Sequence, residues 1–196
     1  NESYIYTVEA LREYLDDLAP GGILAITRWI KLPPRDSVKL VATAIEALRQ
    51  SGVSEPGRRF ARIRSWNTST LLIRNGDFTA PEIERIRAFA RSRSVETAWF
   101  PGMRTGDANR YNRLPEPYIH EATAALLGED AGSFLDRYKF HVAPATDDRP
   151  YFFHFFRWRT LPEVIALREE VCAGLMEWGY LDLVATVVQA GLLGVL

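Results

Sequence analysis

The sequence predicts an α/β fold, in which helices alternate with strands and pack on a sheet. Three stretches carry that prediction. Leu18-Ala19-Pro20-Gly21-Gly22 ends a helix, because proline cannot continue one and glycine supplies the positive φ of a C-cap. Ile23 to Ile26 is a nearly continuous apolar run, the pattern of a strand covered on both faces. Phe60 to Trp66 alternates apolar and polar residues, Thr68 to Arg74 reads as a second strand, and Asn75-Gly76 closes it with a turn. A helix leading through a short loop into a buried strand is half of a parallel α/β layer. Such sheets place ligands at the carboxyl ends of their strands, here Thr27-Arg28-Trp29.

The elements follow in order. Residues 3–18 repeat apolar side chains at Tyr4, Val8, Leu11, Leu15 and Leu18, a helical spacing. The strand covers 22–29. Pro33-Pro34 makes 31–36 a loop, and Asp36 or Ser37 can cap the next helix, 37–50, which puts Val38, Val41, Ala42, Ile45 and Leu48 on one face. Gly52 stops it. Thr79-Ala80-Pro81-Glu82 starts a helix that runs to about Arg93, with proline in the first turn and an acid near the positive end of the dipole. Val95 to Phe100 is a short strand, 101–117 a polar loop, and Tyr118 to Leu127 and Ser133 to Tyr138 are short helices. His141 to Pro150 is extended, the aromatic run Tyr151 to Trp158 packs on a neighbour, and Pro162 starts a further helix.

With 196 residues the chain holds one domain and an appendage, and 47% apolar residues suffice for a core. A net charge of -1 gives no general attraction to nucleic acid. The single cysteine, Cys172, excludes an intramolecular disulfide framework and a cysteine-based metal cluster. The three histidines, His120, His141 and His154, lack metal-ligand spacing. From Glu177-Trp178-Gly179-Tyr180 to Leu196 only Asp182 and Gln189 interrupt an apolar segment, which just reaches the ~20 residues of a membrane span. Trp178 and Tyr180 sit where an interfacial belt would be, and Arg157, Arg159 and Arg168 before them favour a cytoplasmic side. A buried terminal helix is the alternative. Neither end of the chain reads as a natural terminus, which makes a fragment of a longer protein the expectation.

Tyr6-Thr7-Val8-Glu9-Ala10 with Leu15 to Trp29 resembles the region from the fourth to the fifth strand of spermidine synthases and related class I S-adenosylmethionine-dependent transferases. The longer string resembles large bacterial membrane proteins that carry such a domain. It comprises Asn1 to Ala10, Pro33-Pro34-Arg35-Asp36-Ser37 and Thr146-Asp147-Asp148-Arg149-Pro150-Tyr151 to Phe156. The resemblance covers almost the whole chain. It implies the C-terminal half of a Rossmann-like sheet ending in an antiparallel hairpin over 1–76, a helical extension over 77–160, and a connecting helix with the start of a transmembrane helix over 161–196. It places the soluble part on the cytoplasmic side of an inner membrane. In the intact protein it implies aminopropyl or methyl transfer to a small-molecule amine, from decarboxylated S-adenosylmethionine or S-adenosylmethionine. The glycine loop, the acidic residue after the second strand and the catalytic aspartate of that family have no counterpart here. The chain by itself is therefore expected neither to bind the cofactor nor to turn over substrate. The second reading is a transferase-like module that kept the fold, lost catalysis and serves binding or regulation on a membrane protein. A third is an α/β domain whose last helix is an oligomer contact.

What remains is a substrate-facing wall. Tyr4, with Glu2 and Ser3, follows the fourth strand, or else begins a helix capped by Ser3. Trp29 ends the strand and either packs against a ligand or covers the core. Arg35, on a stiff loop beside the same edge, binds a carboxylate, pairs with Asp36, or is simply solvated. Asp147-Asp148 can hold a polyamine between paired anions, or form a turn in which Asp147 caps backbone N–H groups and Asp148 pairs with Arg149. Asp107, Asn109, Arg110, Tyr111 and Asn112 form a polar cluster in a long loop, which is either functional or mobile. His154, inside the aromatic run, reads as a packed residue.

Overall fold

The computed structural model describes residues 2–160, together with Thr186, Val187, Gln189 and Ala190. By contacts the chain divides into two compact units, Asn1–Phe155 and Phe156–Leu196. In the first, the element order is α1 (Val8–Asp16), β1 (Ile23–Trp29), α2 (Asp36–Gln50), β2 (Phe60–Arg64), β3 (Thr68–Arg74), α3 (Ala80–Arg93), β4 (Glu96–Trp99), α4 (Tyr118–Leu127) and α5 (Ala131–Arg137). In the second, the described residues form a short 3-10 turn at Trp158–Thr160 and a helical piece around Thr186 and Ala190. The expected helix from Pro162, Cys172 and most of the apolar segment after 177 lie outside the described residues. No helix among the described residues is long and apolar enough to cross a membrane.

The fold is mixed α/β, and every neighbouring pair in its four-stranded sheet, β1-β3-β2-β4, is antiparallel. Because β1 and β2 each run antiparallel to β3, they run parallel to one another. β1, α2 and β2 therefore form a crossover unit, the connection that parallel strands require. The β2–β3 hairpin then returns its second strand into the space between β1 and β2. One consequence is that β1 and β2 point their carboxyl ends the same way.

Alternation sorts the sheet's side chains onto two faces. Phe60, Leu71 and Ile73 meet α1, α2 and α4 in the main core, with Val142, Ala145 and Phe152. On the other face Ala61 and Leu72 pack with Ile83 and Ile86 of α3, Phe78 and Phe100. α2 is buried almost all round, not along one face as the periodicity predicts, because α1, α4 and the strap 142–155 surround it.

Three expectations are corrected. Ile23 to Ile26 is not covered on both faces: β1 pairs only with β3, and its residues alternate between exposed and half-buried. The α3 cluster ends at Leu72 of β3 and leaves Ile23, Ala25, Thr27 and Trp29 open. The first helix is also shorter. Tyr4–Tyr6 forms a 3-10 turn, and Thr7, not Ser3, caps α1 by accepting from the Ala10 N–H at 3.2 Å. Asp36 and Ser37, expected as caps, lie inside the first turn of α2, whose N-cap Arg35 makes no side-chain capping bond. Thr79 and Glu82 make a reciprocal capping box on α3, and Gly52 ends α2 at φ 80°.

Arg62 is buried in the main core without a carboxylate. It donates to Thr123 Oγ1 at 2.6 Å, to the Ser37 carbonyl at 3.3 Å and to Ser69 Oγ at 3.3 Å, tying α4, α2 and β3 to β2. Burial pushes its guanidinium down to about 9, which still leaves it charged at neutral pH.

Phe152 is fully buried and joins the strap to the core. Phe152→Ala is expected to lower stability by about 3–5 kcal/mol in urea unfolding; a loss near zero would show that the strap is not part of the folding unit.

Candidate functional site

The carboxyl end of β1 faces the first turn of α2, and charged side chains gather there. Arg28 Nη2 meets Asp36 Oδ2 at 3.3 Å, and Arg35 Nε stands 3.8 Å from Asp36 Oδ1. Lys39, one turn further along α2, is 2% exposed. Two guanidiniums thus meet one carboxylate, and Asp36 also sits where the positive end of the α2 dipole favours an anion.

Aromatic rings and carbonyls from the strap supply what that carboxylate cannot. The Arg28 guanidinium donates to the Tyr6 hydroxyl at 3.2 Å and lies over the rings of Phe153 at 4.9 Å and Tyr6 at 5.2 Å. Arg35 lies over Phe155 at 5.1 Å and Phe140 at 5.5 Å. Lys39 Nζ donates to the carbonyls of Tyr151 at 2.8 Å and His154 at 3.2 Å, with the Phe155 ring at 5.4 Å. Rings binding cations and carbonyls accepting from an ammonium let charge be buried with few counter-ions. Arg28 Nε, Arg35 Nε, Asp36 Oδ1 and Ser37 Oγ still have no hydrogen-bond partner.

The strap's outer surface is different in character. Thr146 to Arg149 is a tight turn, closed by the Arg149 N–H donating to the Thr146 carbonyl at 2.9 Å. Asp147 and Asp148 stand exposed on it, and the Asp147 N–H donates to Glu9 at 3.0 Å. The Ser3 N–H donates to the Pro150 carbonyl at 2.7 Å, which docks the N-terminal turn beside the acidic one. Tyr4 is 53% exposed and Tyr151 47%. Glu2, then burial, holds the Tyr4 hydroxyl above its ordinary value, and Asp147 adds to the effect. Carboxylates and open aromatic faces therefore share one surface.

Of the residues singled out from sequence, the fold brings Tyr4, Asp147 and Asp148 together. Asp147-Asp148 does form a turn, but Asp147 serves as a donor to Glu9 and Asp148 makes no ion pair with Arg149 among the described residues. Arg35 is 6% exposed, not solvated, because Phe140 and Phe155 arrive from distant sequence and cover it. Trp29 shares the parity of Ile23, Ala25 and Thr27, so it sits on the opposite face from Arg28 and is 59% exposed, neither covering the core nor joining this surface. Lys39 gave no signal in the sequence, and Tyr6 entered only as part of the resemblance: a lysine on a helix is an ordinary surface residue until the strap is in place.

The polar loop 101–117 is pinned to the sheet. Arg64 donates to the Asn112 carbonyl at 2.8 Å, to Asn109 Oδ1 at 3.0 Å and to the Tyr111 carbonyl at 3.3 Å, while Glu96 accepts from the Tyr111 N–H at 2.6 Å. Burial lowers the Arg64 guanidinium and Glu96 opposes that. Asn109 and Asn112 take positive φ, which asparagine tolerates. Among the described residues no cluster of three or more histidine, cysteine, aspartate or glutamate side chains has the geometry to hold a metal.

Comparison with protein-family models, with curated proteins and with solved structures finds no match for this chain.

Burial first and Lys39 second hold the His154 imidazole below its ordinary value. The unfolded chain therefore binds the proton more tightly, and this stabilising contribution is lost as pH falls from the unfolded value, about 6.5, towards the lower folded one. Between pH 7 and pH 5 the wild type is expected to lose more stability than His154→Gln; parallel profiles in chemical unfolding would contradict this.

Proposed function

We propose that the chain is the C-terminal half of a spermidine-synthase-like transferase domain, and that its Tyr4–Asp147 surface is the amine-facing wall of the intact enzyme. The observation that carries the reading is the β1–α2–β2 crossover with the β2–β3 hairpin folded back between its strands. It agrees with the element order and terminal hairpin that the sequence resemblance implies. A second support is chemical. Glu2, Asp147 and Asp148 are exposed carboxylates beside Tyr4 and Tyr151, and an amine with a positive charge finds there both counter-charge and aromatic faces.

The residues present do not fit S-adenosylmethionine or its decarboxylated form. No glycine-x-glycine loop occurs in the chain to cradle a nucleoside, and at the carboxyl end of β1 the rings of Phe152 and Phe153 lie against Arg28. The reading therefore assigns the cofactor to sequence outside this chain, and what this chain contributes is binding and orientation of the amine. Half-buried Arg28 and buried Arg35 and Lys39 hold the strap from behind, and the strap presents the acidic turn. In the intact protein the reading makes the domain membrane-attached and gives transfer of an aminopropyl or methyl group.

The test uses the longer reading frame that contains these residues, purified and supplied with decarboxylated S-adenosylmethionine or S-adenosylmethionine and a diamine. Transfer to the amine is expected, with Asp147→Asn/Asp148→Asn raising KM by about tenfold, a loss of about 1.4 kcal/mol in binding. Absence of transfer with either donor would defeat the enzyme reading.

A further inference from the structure

Positive charge collects on the outer side of α3 and on the loop that follows β4. Residues 80–117 hold seven arginines, no lysine and five acids, in a chain whose net charge is -1. Two of those acids serve the interior. Glu82 accepts from Arg74 at 3.2 Å and closes the α3 capping box, and Glu96 is 1% exposed, opposite Arg64 in the sheet. Glu84, Asp107 and Glu116 remain beside the seven arginines. Glu84 serves two of them at once, Arg87 at 3.0 Å and Arg91 at 2.7 Å, and Asp107 takes Arg110. Arg85, Arg93, Arg104 and Arg113 are exposed and make no ion pair among the described residues.

The helix sets these charges in two rows. Ile83 and Ile86 pack toward the sheet, and Ala90 is buried on the same side. At 3.6 residues per turn the opposite pole is Pro81, Ala88 and Ser92, all exposed and short. Arg85, Phe89 and Arg93 run along one flank at i, i+4 spacing, and Arg87 and Arg91 along the other. Arg110 joins the second flank, since it lines the same cavity as Arg87 and Arg91. Arg113 stands near the C-terminal end of the helix, because the side-chain amide of its neighbour Asn112 donates to the Ser94 carbonyl at 3.2 Å. Guanidiniums thus straddle a low, uncharged ridge.

We propose that this face docks on the phosphate plane of an anionic lipid bilayer. Guanidinium groups match phosphate oxygens in pairs. A pole of short side chains lets α3 lie close to a plane while both flanks reach it. A nucleic-acid duplex fits less well, since a helix enters a groove by long side chains at its apex, which α3 lacks. Phe89, 49% exposed with the Arg93 guanidinium 5.9 Å from its ring centre, offers the headgroup layer an aromatic ring beside a cation. The compensating negative charge lies elsewhere on the chain, and a screening length of about 8 Å at physiological salt leaves the facing patch to decide the interaction. The inference does not rest on the transferase reading: it uses no residue of the strap or of the carboxyl end of β1, and nothing of the apolar segment after 177.

The test places a fluorophore on the ridge of the 196-residue chain through Ser92→Cys, and at the end of α2 through Ser51→Cys, each combined with Cys172→Ser. Vesicles of phosphatidylcholine with about one-third phosphatidylglycerol carry a lipid-borne quencher. Quenching is expected at position 92 and not at position 51. The apparent affinity is expected to fall by about tenfold or more when phosphatidylglycerol is omitted, and by a similar factor in Arg85→Gln/Arg93→Gln/Arg113→Gln, which breaks no ion pair. Equal quenching at the two positions, indifference to phosphatidylglycerol, or no loss in the arginine variant would overturn the proposal. So would tighter binding to duplex RNA than to the anionic vesicles at equal phosphate concentration.

Discussion

One buried carboxylate, Asp36, holds the working end of this fold together. It pairs with Arg28 and stands beside Arg35, and it joins the carboxyl end of β1 to the first turn of α2. The strap adds to that pairing: its rings lie over both guanidiniums and its carbonyls take the lysine ammonium. Partner removal at such a site strands charge in a poorly solvating interior, which costs far more than the pair contributes. The strap is thus anchored both by these charges and by Val142, Ala145 and Phe152 in the core.

That arrangement separates two tasks by depth. Inside, positive charge meets the Asp36 carboxylate, aromatic rings and carbonyls. Outside, the same strap exposes Asp147 and Asp148 next to Tyr4 and Tyr151. The result is an acidic, aromatic surface carried on a rigid backing, a suitable reception for an ammonium group. Arg62 and Arg64 follow the same economy on β2: each is buried, and each gives its protons to hydroxyls and carbonyls and not to a carboxylate.

The elements were legible in the sequence because their signals are local. Alternation placed β2, a first-turn proline with an acid near the dipole placed α3, and the glycine turn placed the start of β1. The site was legible only in part. Tyr4 and Asp147 were visible as types, but the burial of Arg35 depends on Phe140 and Phe155, and Lys39 meets carbonyls 112 and 115 positions away. No short window contains both partners. Trp29 shows a different limit: near a strand end, one residue of parity decides the face, and the apolar run that suggested two covered faces hid an alternation that the sheet then imposed.

The central claim, that the edge built on Asp36 presents an amine-binding surface, is tested most directly by mapping a diamine onto the protein through amide and aromatic chemical shifts. The account predicts saturable shifts confined to Tyr4, Asp147, Asp148 and Tyr151, lost at high salt as screening removes the carboxylate attraction. Shifts scattered over the surface, or centred on Trp29 and the opposite face of β1, would contradict it.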